Sequence, residues 1–204
     1  PAVGEPMPPF LLPDDGGHLT SLGEILAEGP AAIAFHRGHW CPYCRLNMLS
    51  LAAVERRIAG VGRIVAISPE TQVYTRQHKE DAGARFPILS DAGHGLAAAL
   101  GLVIWVGEEM EAVMAEIGRN LPTYQGTDGW LLPIPATFVV SRDGIIRARF
   151  VDADYRRRMD ADVLMEALTA AAAGVTTSPP PAAGAAASLP GHDEAGPRRR
   201  RRKP

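Results

Sequence analysis

Two short runs of consecutive apolar residues mark the centre of the predicted fold. Residues 31–36 and 63–68 are apolar except for their end residues His36, Arg63 and Ser68, which is typical of strands buried on both faces of a sheet. A helical segment follows each run, over residues 45–58 with apolar residues at helical spacing and over residues 69–82. The order strand, helix, strand, helix predicts a mostly parallel sheet covered by helices.

The segments on either side of this unit are predicted to be shorter. Before it, an apolar stretch runs into a Gly-rich turn over residues 10–18, and Ser21 with Glu24 can form a capping box for a short helix. After it, proline and glycine separate several short elements. We expect strands at 86–90, 133–141 and 145–151, the last two as a hairpin, and helices at 95–100, 108–117 and 160–173.

The chain changes character after residue 173. Residues 174–204 are rich in proline and alanine and end in a basic run at 198–203, so we predict one domain over 1–173 and a disordered tail over 174–204. The domain carries 15 Lys/Arg and 21 Asp/Glu, a net charge of −6, and the tail carries 6 and 2, a net charge of +4. Nucleic acid is therefore expected to bind, if at all, only through the basic run, which can equally be a solvated tail.

No part of the sequence resembles a membrane span or a secretory leader. The longest apolar runs fall well short of the roughly 18 residues that cross a bilayer, and residues 1–5 lack the basic and then apolar layout of a signal peptide. The chain has only two cysteines, and their spacing is typical of redox pairs. We therefore expect no membrane partner and a location in the reducing cytoplasm.

The two cysteines, Cys41 and Cys44, are spaced C-x-x-C at the point where the first predicted strand ends and its helix begins. Free backbone N–H groups and the positive end of the helix dipole stabilise a thiolate there, and Arg37 and Arg45 add positive charge nearby. Such a pair can close a small disulfide ring and reopen it. The pattern predicts dithiol redox or peroxide chemistry.

Other interpretations of the pair have less support. A structural zinc site needs four ligands, and the only close candidates, His36 and His39, do not give a usual zinc spacing. A permanent structural disulfide would constrain almost no chain. The same two histidines could assist proton transfer near neutral pH, or could be ordinary loop histidines. We expect no metal and no organic cofactor.

Five sequence blocks, in order, resemble the peroxiredoxin-like branch of the alkyl hydroperoxide reductase/thiol-specific antioxidant (AhpC/TSA) family. The resemblance covers roughly residues 4–170. It implies an α/β, thioredoxin-like fold with a mixed, mostly parallel central sheet flanked by helices and an N-terminal hairpin extension. The blocks are Gly4-Glu-Pro through Phe10-Leu-Leu-Pro-Asp14, Phe35-His-Arg-Gly-His-Trp-Cys-Pro-Tyr-Cys44, Ile67-Ser-Pro-Glu70, Phe86-Pro-Ile-Leu-Ser-Asp91 and Pro135-Ala-Thr-Phe-Val-Val-Ser-Arg-Asp-Gly144.

The sequence departs from the usual family pattern at three positions. Typical members carry a proline and a threonine seven and three residues before the cysteine that attacks peroxide, where this chain has Arg37 and Cys41 before Cys44. A typical arginine ahead of the Ala-x-Phe strand is replaced by Pro135, which matches the cis-proline that faces the C-x-x-C pair of thioredoxins. These departures make the site more similar to that of thioredoxin.

The resemblance implies a thiol-dependent peroxidase that reduces hydrogen peroxide or alkyl hydroperoxides. In this interpretation Cys44 attacks the peroxide and becomes a sulfenic acid, Cys41 condenses with it, and thioredoxin or a similar dithiol reduces the resulting disulfide. Arg37 would stabilise the thiolate and take over the role of the missing arginine.

Two alternatives remain. In a thioredoxin-like oxidoreductase, Cys41 is the attacking thiol and Cys44 resolves the mixed disulfide, with Pro135 and Trp40 shaping the substrate groove. Sequence position favours Cys41 as the more exposed sulfur. In a redox-sensing module, the disulfide switches a partner without turnover. The Met-rich segment 102–130 could cap the site or form a homodimer surface, although core packing is the more common use of such a stripe.

Overall fold

The computed structural model describes residues 1–58 and 60–174. Seven helices and nine strands are assigned within these residues. In chain order they are β1 (Leu11–Pro13), β2 (Leu19–Ser21), α1 (Leu22–Ala27), β3 (Ala31–Phe35), α2 (Pro42–Arg57), β4 (Arg63–Ser68), α3 (Gln72–Ala82), β5 (Ile88–Ser90), α4 (Gly95–Ala99), β6 (Val103–Trp105), α5 (Glu108–Glu116), α6 (Leu121–Gln125), β7 (Leu131–Pro133), β8 (Ala136–Val140), β9 (Ile146–Val151) and α7 (Ala161–Ala172).

The central sheet has five strands in the order β5-β4-β3-β8-β9. Strands β3, β4 and β5 are parallel, whereas β8 joins β3 antiparallel and continues into β9 as a hairpin. The predicted thioredoxin-like fold, a mixed α/β sheet flanked by helices, is therefore confirmed. The predicted N-terminal hairpin is also present, because β1 pairs antiparallel with β2.

Alternate side chains of the sheet pack into two separate apolar layers. On one face, Ala32 and Ala34 of β3 pack with Met48 of α2 and Leu164 of α7. On the other face, Ile33 and Phe35 pack with residues of α1 and α4, among them Ile25, Leu26, Leu96 and Ala97. Every side chain of β3 is buried, because a central strand covered on both faces has no solvent side.

Helix α2 begins a short loop after the end of the buried strand β3. The strand ends at Phe35, and α2 starts at Pro42 with Cys41 as its N-cap. Proline is favoured at the first helical position because its fixed φ suits a helix and its missing N–H would have no intrahelical partner there. The loop and the first turn of α2 therefore place Cys41 and Cys44 near the end of the sheet where the parallel strands terminate.

Most predicted elements are present, and the differences are local. The capping box of Ser21 and Glu24 is formed, and the helix predicted at 108–117 is α5. The helix predicted from residue 69 begins instead at Gln72, and the strand predicted over 133–141 is β8, which begins only at Ala136. Strand β7 ends at Pro133 and was not predicted as an element of its own. The short elements β6 and α6 were not predicted.

Most of the predicted tail lies beyond the residues that the structure describes. The tail predicted over 174–204 lies outside the described residues except for Gly174, so the domain boundary stays a prediction. Within the described part, no helix is both long and apolar enough to cross a membrane.

Candidate active site

Both cysteine side chains are completely buried. Cys41 caps the N-terminus of α2 with extended backbone angles, and Cys44 lies in the first turn of that helix. The exposed fraction is 0% for each residue. The prediction that Cys41 is the more exposed sulfur is therefore wrong.

The two thiols nevertheless have opposite acidities. The pKa of Cys41 is lowered to about 6, chiefly because the Cys44 thiol donates a hydrogen bond to its sulfur. The backbone N–H groups of Cys44 and Tyr43 and the charge of Arg37 also favour the thiolate, and together these effects outweigh burial. No capping hydrogen bond of standard geometry reaches the Cys41 side chain, so the N–H groups act as nearby dipoles.

Cys44 is the cysteine that remains protonated. Burial raises its pKa well above the ordinary value, and the hydrogen bond and negative charge of Cys41 raise it further. Two contacts act in the opposite direction. The Arg37 backbone N–H donates to Cys44 Sγ at 3.3 Å, and Arg158 Nη2 donates to the same sulfur at 3.4 Å. At neutral pH the site therefore holds a Cys41 thiolate beside a Cys44 thiol.

Arg158 reaches the site from the segment between β9 and α7. Its Nη1 donates to the backbone carbonyls of Tyr155 and Arg157, while its buried Nε has no hydrogen-bond partner. In residues 1–58 and 60–174, no carboxylate forms an ion pair with Arg158. Cys44 Sγ is thus the only side-chain group bonded to this guanidinium within that part of the chain.

Aromatic side chains and Arg37 surround the cysteine loop. The Arg37 guanidinium carbon lies 4.4 Å from the ring centre of Tyr155 and 5.2 Å from that of Trp40, a cation–π arrangement. Tyr155 in turn meets Tyr43 edge to face, with ring centres 5.6 Å apart. Trp40 also packs against the small apolar cluster of α5, α6 and β7. These contacts tie the loop before α2 to the segment after β9.

A buried carboxylate anchors the loop from the other side. Glu70, which lies between β4 and α3, is 0% exposed. It accepts a hydrogen bond from the His39 backbone N–H at 2.7 Å, and its Oε1 shares a second one with His39 Nδ1 at 2.6 Å. Tyr74 stacks on the His39 ring at 4.9 Å, and Tyr124 meets it edge-on. His39 therefore holds the loop in place and does not contact the sulfurs.

The other loop histidine is buried and neutral. His36 Nε2 donates to Asn47 Oδ1 at 2.8 Å, because an amide oxygen can only accept. Burial, followed by repulsion from His78, lowers the pKa of His36 to about 3. Burial likewise lowers the pKa of His78 to about 4. Neither ring changes its charge near neutral pH, so the suggested proton transfer through His36 has no electrostatic support.

Pro135 lies at the same edge of the sheet as the cysteine loop. It is buried and directly precedes Ala136, which pairs with Phe35 at the end of β3. The peptide bond before it is trans, since residues 1–58 and 60–174 contain no cis peptide bond. The predicted match to a cis-proline is therefore wrong, although the register places Pro135 opposite the start of the loop.

Several site residues were not found from the sequence. Arg158 and Tyr155 come from a stretch with three consecutive arginines, and nothing in that pattern distinguishes the half-buried Arg158 from its two exposed neighbours. Glu70 carries a weak signal, because it directly follows a buried strand. No group of three or more His, Cys, Asp or Glu within the described residues is arranged to hold a metal ion.

The mixed sheet, with a C-x-x-C pair between a central strand and the following helix, defines the thioredoxin-like class of folds. The chain belongs to the AhpC/TSA family, whose sequence profile matches residues 3–149. Arg158 lies outside that match. No curated protein is similar enough to the chain to count as a match.

Solved structures with this fold include peroxiredoxins and one disulfide-exchange protein. Peroxidoxin BcpB from Mycobacterium tuberculosis aligns with a TM-score of 0.64 and 21% identity over 86% of this chain and 98% of its own. Peroxiredoxin Q from Xanthomonas campestris gives 0.61 and 20% over 80% and 91%. A proposed thiol:disulfide interchange protein, DsbE from Chlorobium tepidum, gives 0.59 and 17% over 84% and 98%. At these identities the likeness concerns the fold alone.

Proposed function

We propose that the protein is a thiol-dependent peroxidase in which Cys41 attacks hydrogen peroxide or an alkyl hydroperoxide and Cys44 resolves the product. The observation that carries the proposal is the C-x-x-C pair at the N-terminus of α2, where the hydrogen bond from Cys44 and the charge of Arg37 favour the Cys41 thiolate, in a chain of the AhpC/TSA family. Alignment with typical members assigns the attack to Cys44 instead. The raised pKa of Cys44 favours the reverse order, because the thiolate is the nucleophile.

The proposed reaction has one oxidation by the peroxide, one condensation that forms the disulfide and one reduction by an external dithiol. The Cys41 thiolate attacks the terminal oxygen of R–O–O–H, the O–O bond breaks, and RO⁻ leaves to be protonated as ROH. Cys44 then attacks the sulfur of the Cys41 sulfenic acid, forming the disulfide and releasing water. An external dithiol donates two electrons and two protons to restore both thiols. Arg37 lies close enough to stabilise negative charge at Cys41 throughout.

Thioredoxin or a similar dithiol is the proposed reductant, and the cytoplasm is the proposed location. The support is chemical, because a catalytic C-x-x-C pair needs a continuous supply of reducing equivalents. Both sulfurs are buried in the reduced form. The reductant therefore requires the cysteine loop or the segment after β9 to open before it can reach the disulfide.

A homodimer is also proposed, through an exposed apolar face on β6 and α5. Strand β6 pairs only with β7 among the described residues, so its outer edge is free. Exposed edges and apolar patches of this kind mark interaction surfaces, and a second copy could cover the same face by antiparallel pairing. Large side chains that are 44–65% exposed on this face are Ile104, Trp105, Met110, Val113 and Ile117.

The second candidate function is thiol–disulfide exchange with a protein substrate, again with Cys41 attacking. It is favoured by the C-x-x-C arrangement itself, in which the pKa of the first cysteine is lowered and that of the second is raised. The third, a redox sensor, differs from both in having no turnover.

A test uses peroxide consumption with thioredoxin and its reductase, for the wild type, Cys41→Ser and Cys44→Ser. We expect steady turnover in the wild type only. A sulfenic acid that reacts with dimedone should accumulate in Cys44→Ser and be absent from Cys41→Ser, because Cys41 is the attacking sulfur.

The other outcomes separate the alternatives. A sulfenic acid confined to Cys41→Ser would reverse the order of attack while leaving the peroxidase intact. Absence of peroxide turnover, with reduction of insulin disulfides dependent on Cys41, would replace the peroxidase with an oxidoreductase. A single oxidation of the wild type without turnover would indicate a sensor.

A further inference from the structure

Arg158 is a cation held against a thiol by short-range contacts. Its Nη2 lies 3.4 Å from Cys44 Sγ, and its Nη1 bonds to two backbone carbonyls. No carboxylate compensates its charge in residues 1–58 and 60–174. Its neighbours Arg156 and Arg157, in contrast, form ion pairs with Asp154 and Asp152 at 2.8 and 2.7 Å. Arg158 is half-buried, with its Nε buried and unbonded, and a partly desolvated cation without a counter-ion is stabilised when a negative charge develops beside it.

We propose that Arg158 is a catalytic residue of the resolving step: it stabilises the Cys44 thiolate once Cys41 has reacted. The proposal rests on the order of attack given above, with Cys41 first. It concerns the same site, but assigns to this arginine a step that Arg37 does not serve. Arg37 contacts Cys44 only through its backbone N–H.

The charges around Cys44 change when Cys41 is consumed. Before the reaction, the hydrogen bond to the Cys41 thiolate and the negative charge of that thiolate both help to keep the pKa of Cys44 high. A Cys41 sulfenic acid or mixed disulfide carries no such charge, so both of these causes disappear. Burial still raises the pKa of Cys44, while Arg158 and the Arg37 N–H still lower it. Cys44 therefore becomes more acidic once Cys41 has reacted, which is when Cys44 must attack.

Two histidines, His78 and His36, lie close to Cys44 in the described part of the chain. His78 packs against the Cys44 backbone, and His36 lies beside it with ring centres 5.8 Å apart. Burial, followed by repulsion from nearby charged groups, lowers the pKa of His78 to about 4 and that of His36 to about 3. These two histidines therefore contribute no change of charge to the pH dependence of the resolving step above pH 5.

The resolving step is balanced without a further reactant. The Cys44 thiol loses its proton, and its thiolate attacks the Cys41 sulfur. The Cys41 S–O bond breaks as the S–S bond forms, and the hydroxide leaves as water with that proton. When Cys41 carries a mixed disulfide instead, the leaving group is the thiolate of the probe.

The test follows the reaction with 4,4′-dithiodipyridine, a neutral disulfide that releases a coloured thiopyridone at each step. Attack by Cys41 gives the first release, and resolution by Cys44 gives the second. In Arg158→Met we expect the first phase to be unchanged and the second to slow by about tenfold to a hundredfold, as for loss of a charged hydrogen bond. The midpoint of the second phase should also move to higher pH, since the thiolate loses its cation.

Two variants control for structural damage. Arg156→Met removes a neighbouring arginine that is 61% exposed at its side chain and should leave both phases unchanged. Arg158→Lys retains the charge and should recover part of the second phase. A shift in the pH midpoint distinguishes stabilisation of the thiolate from simple disorder, which would lower the rate at every pH.

Each outcome bears on the proposal. Equal slowing of both phases, or a second phase with an unchanged pH midpoint in Arg158→Met, would overturn it. Failure of the wild type to reduce peroxide, with both dithiodipyridine phases and the Arg158 effect intact, would overturn the peroxidase but leave the role of Arg158 standing.

Discussion

At the scale of single residues, the chemistry of the site depends on which sulfur carries the proton. Cys41 and Cys44 are three positions apart and are both fully buried. One pKa is nevertheless lowered to about 6 and the other raised well above its ordinary value. The hydrogen bond between them links the two effects, because the thiol that donates is kept protonated and the sulfur that accepts is kept charged.

The dependence of Cys41 reactivity on pH follows from this bond. We expect iodoacetamide to alkylate Cys41 with a rate that rises with pH to half its maximum near pH 6, because the thiolate is present above the lowered pKa and lost as pH falls below it. In Cys44→Ala the midpoint should move upwards, because the hydrogen bond from Cys44 that lowers the pKa of Cys41 is lost. Mass spectrometry of the labelled protein gives the rate at each pH.

The control for this titration is Cys41→Ser, in which only Cys44 can react. Burial still raises the pKa of Cys44 in this variant, although the thiol and the charge of Cys41 are absent, so we expect Cys44 to be labelled more slowly than Cys41 in the wild type. A midpoint near 9 for Cys41 in the wild type, or faster labelling of Cys44 than of Cys41, would contradict the assignment.

At the scale of secondary-structure elements, the loop between β3 and α2 is held by its contact with the N-terminal side of α3. Gly38 has φ of +137°, and a Cβ added to it would lie 2.5 Å from Glu70 Oε1 and 2.7 Å from Trp40 Nε1. The loop backbone thus passes so close to the buried carboxylate that only glycine fits. Because the backbone lies so close to Glu70, the next residue, His39, can form two hydrogen bonds to that carboxylate.

Gly38→Ala should therefore destabilise the protein by about 3 kcal/mol or more, because it adds a clash with buried groups to the strain of a positive φ. Gly17→Ala is a matched control: Gly17 has φ of +89°, but nothing lies within 4 Å of the added Cβ. It should cost only about 1 kcal/mol. Urea unfolding of the reduced proteins measures both. An equal decrease in the free energy of unfolding for the two variants would contradict this prediction, because it would show that the loop accommodates the added methyl group.

The elements also show what the sequence could and could not predict. Strands β3 and β4 were predicted because each is a continuous apolar run, and α2 because its apolar residues recur at helical spacing. Strands β6 and β7 have three residues each, too few for a period to be recognised. The antiparallel insertion of β8 beside β3 brings together residues about a hundred positions apart, which no local pattern records.

At the scale of the whole molecule, large separations along the sequence explain why Arg158 and Tyr155 were not predicted as site residues. Cys41, Cys44, Arg37 and Trp40 are local to one loop and were predicted together. Arg158 reaches Cys44 from 114 residues further along the chain. It does so only because the β8–β9 hairpin carries the chain back to the edge of the sheet where β3 ends. Contacts of that kind follow from the topology and not from a motif.

The tail is predicted to be independent of the catalytic domain. Removal of residues 175–204 should leave peroxide turnover unchanged and alter the free energy of unfolding by less than about 0.5 kcal/mol, as for changes outside packed regions. Binding to duplex DNA at low salt, followed by fluorescence anisotropy, should be confined to the full chain, because the basic run at 198–203 supplies its cations. A full chain with these six residues replaced by glutamine should behave like the truncated one. Loss of turnover on truncation would contradict the prediction.

The acidity of Cys41 also sets the reduction potential of the pair. At pH 7 a thiol with a pKa of about 6 is mostly ionised, whereas the ordinary pKa of 9.0 would leave almost all of it protonated. This ionisation stabilises the dithiol relative to the disulfide by about 1.4 kcal/mol, which raises the potential by about 30 mV. The oxidised protein is accordingly a stronger electron acceptor than an unperturbed C-x-x-C pair, and a more reducing dithiol can return it to the active state with a favourable driving force.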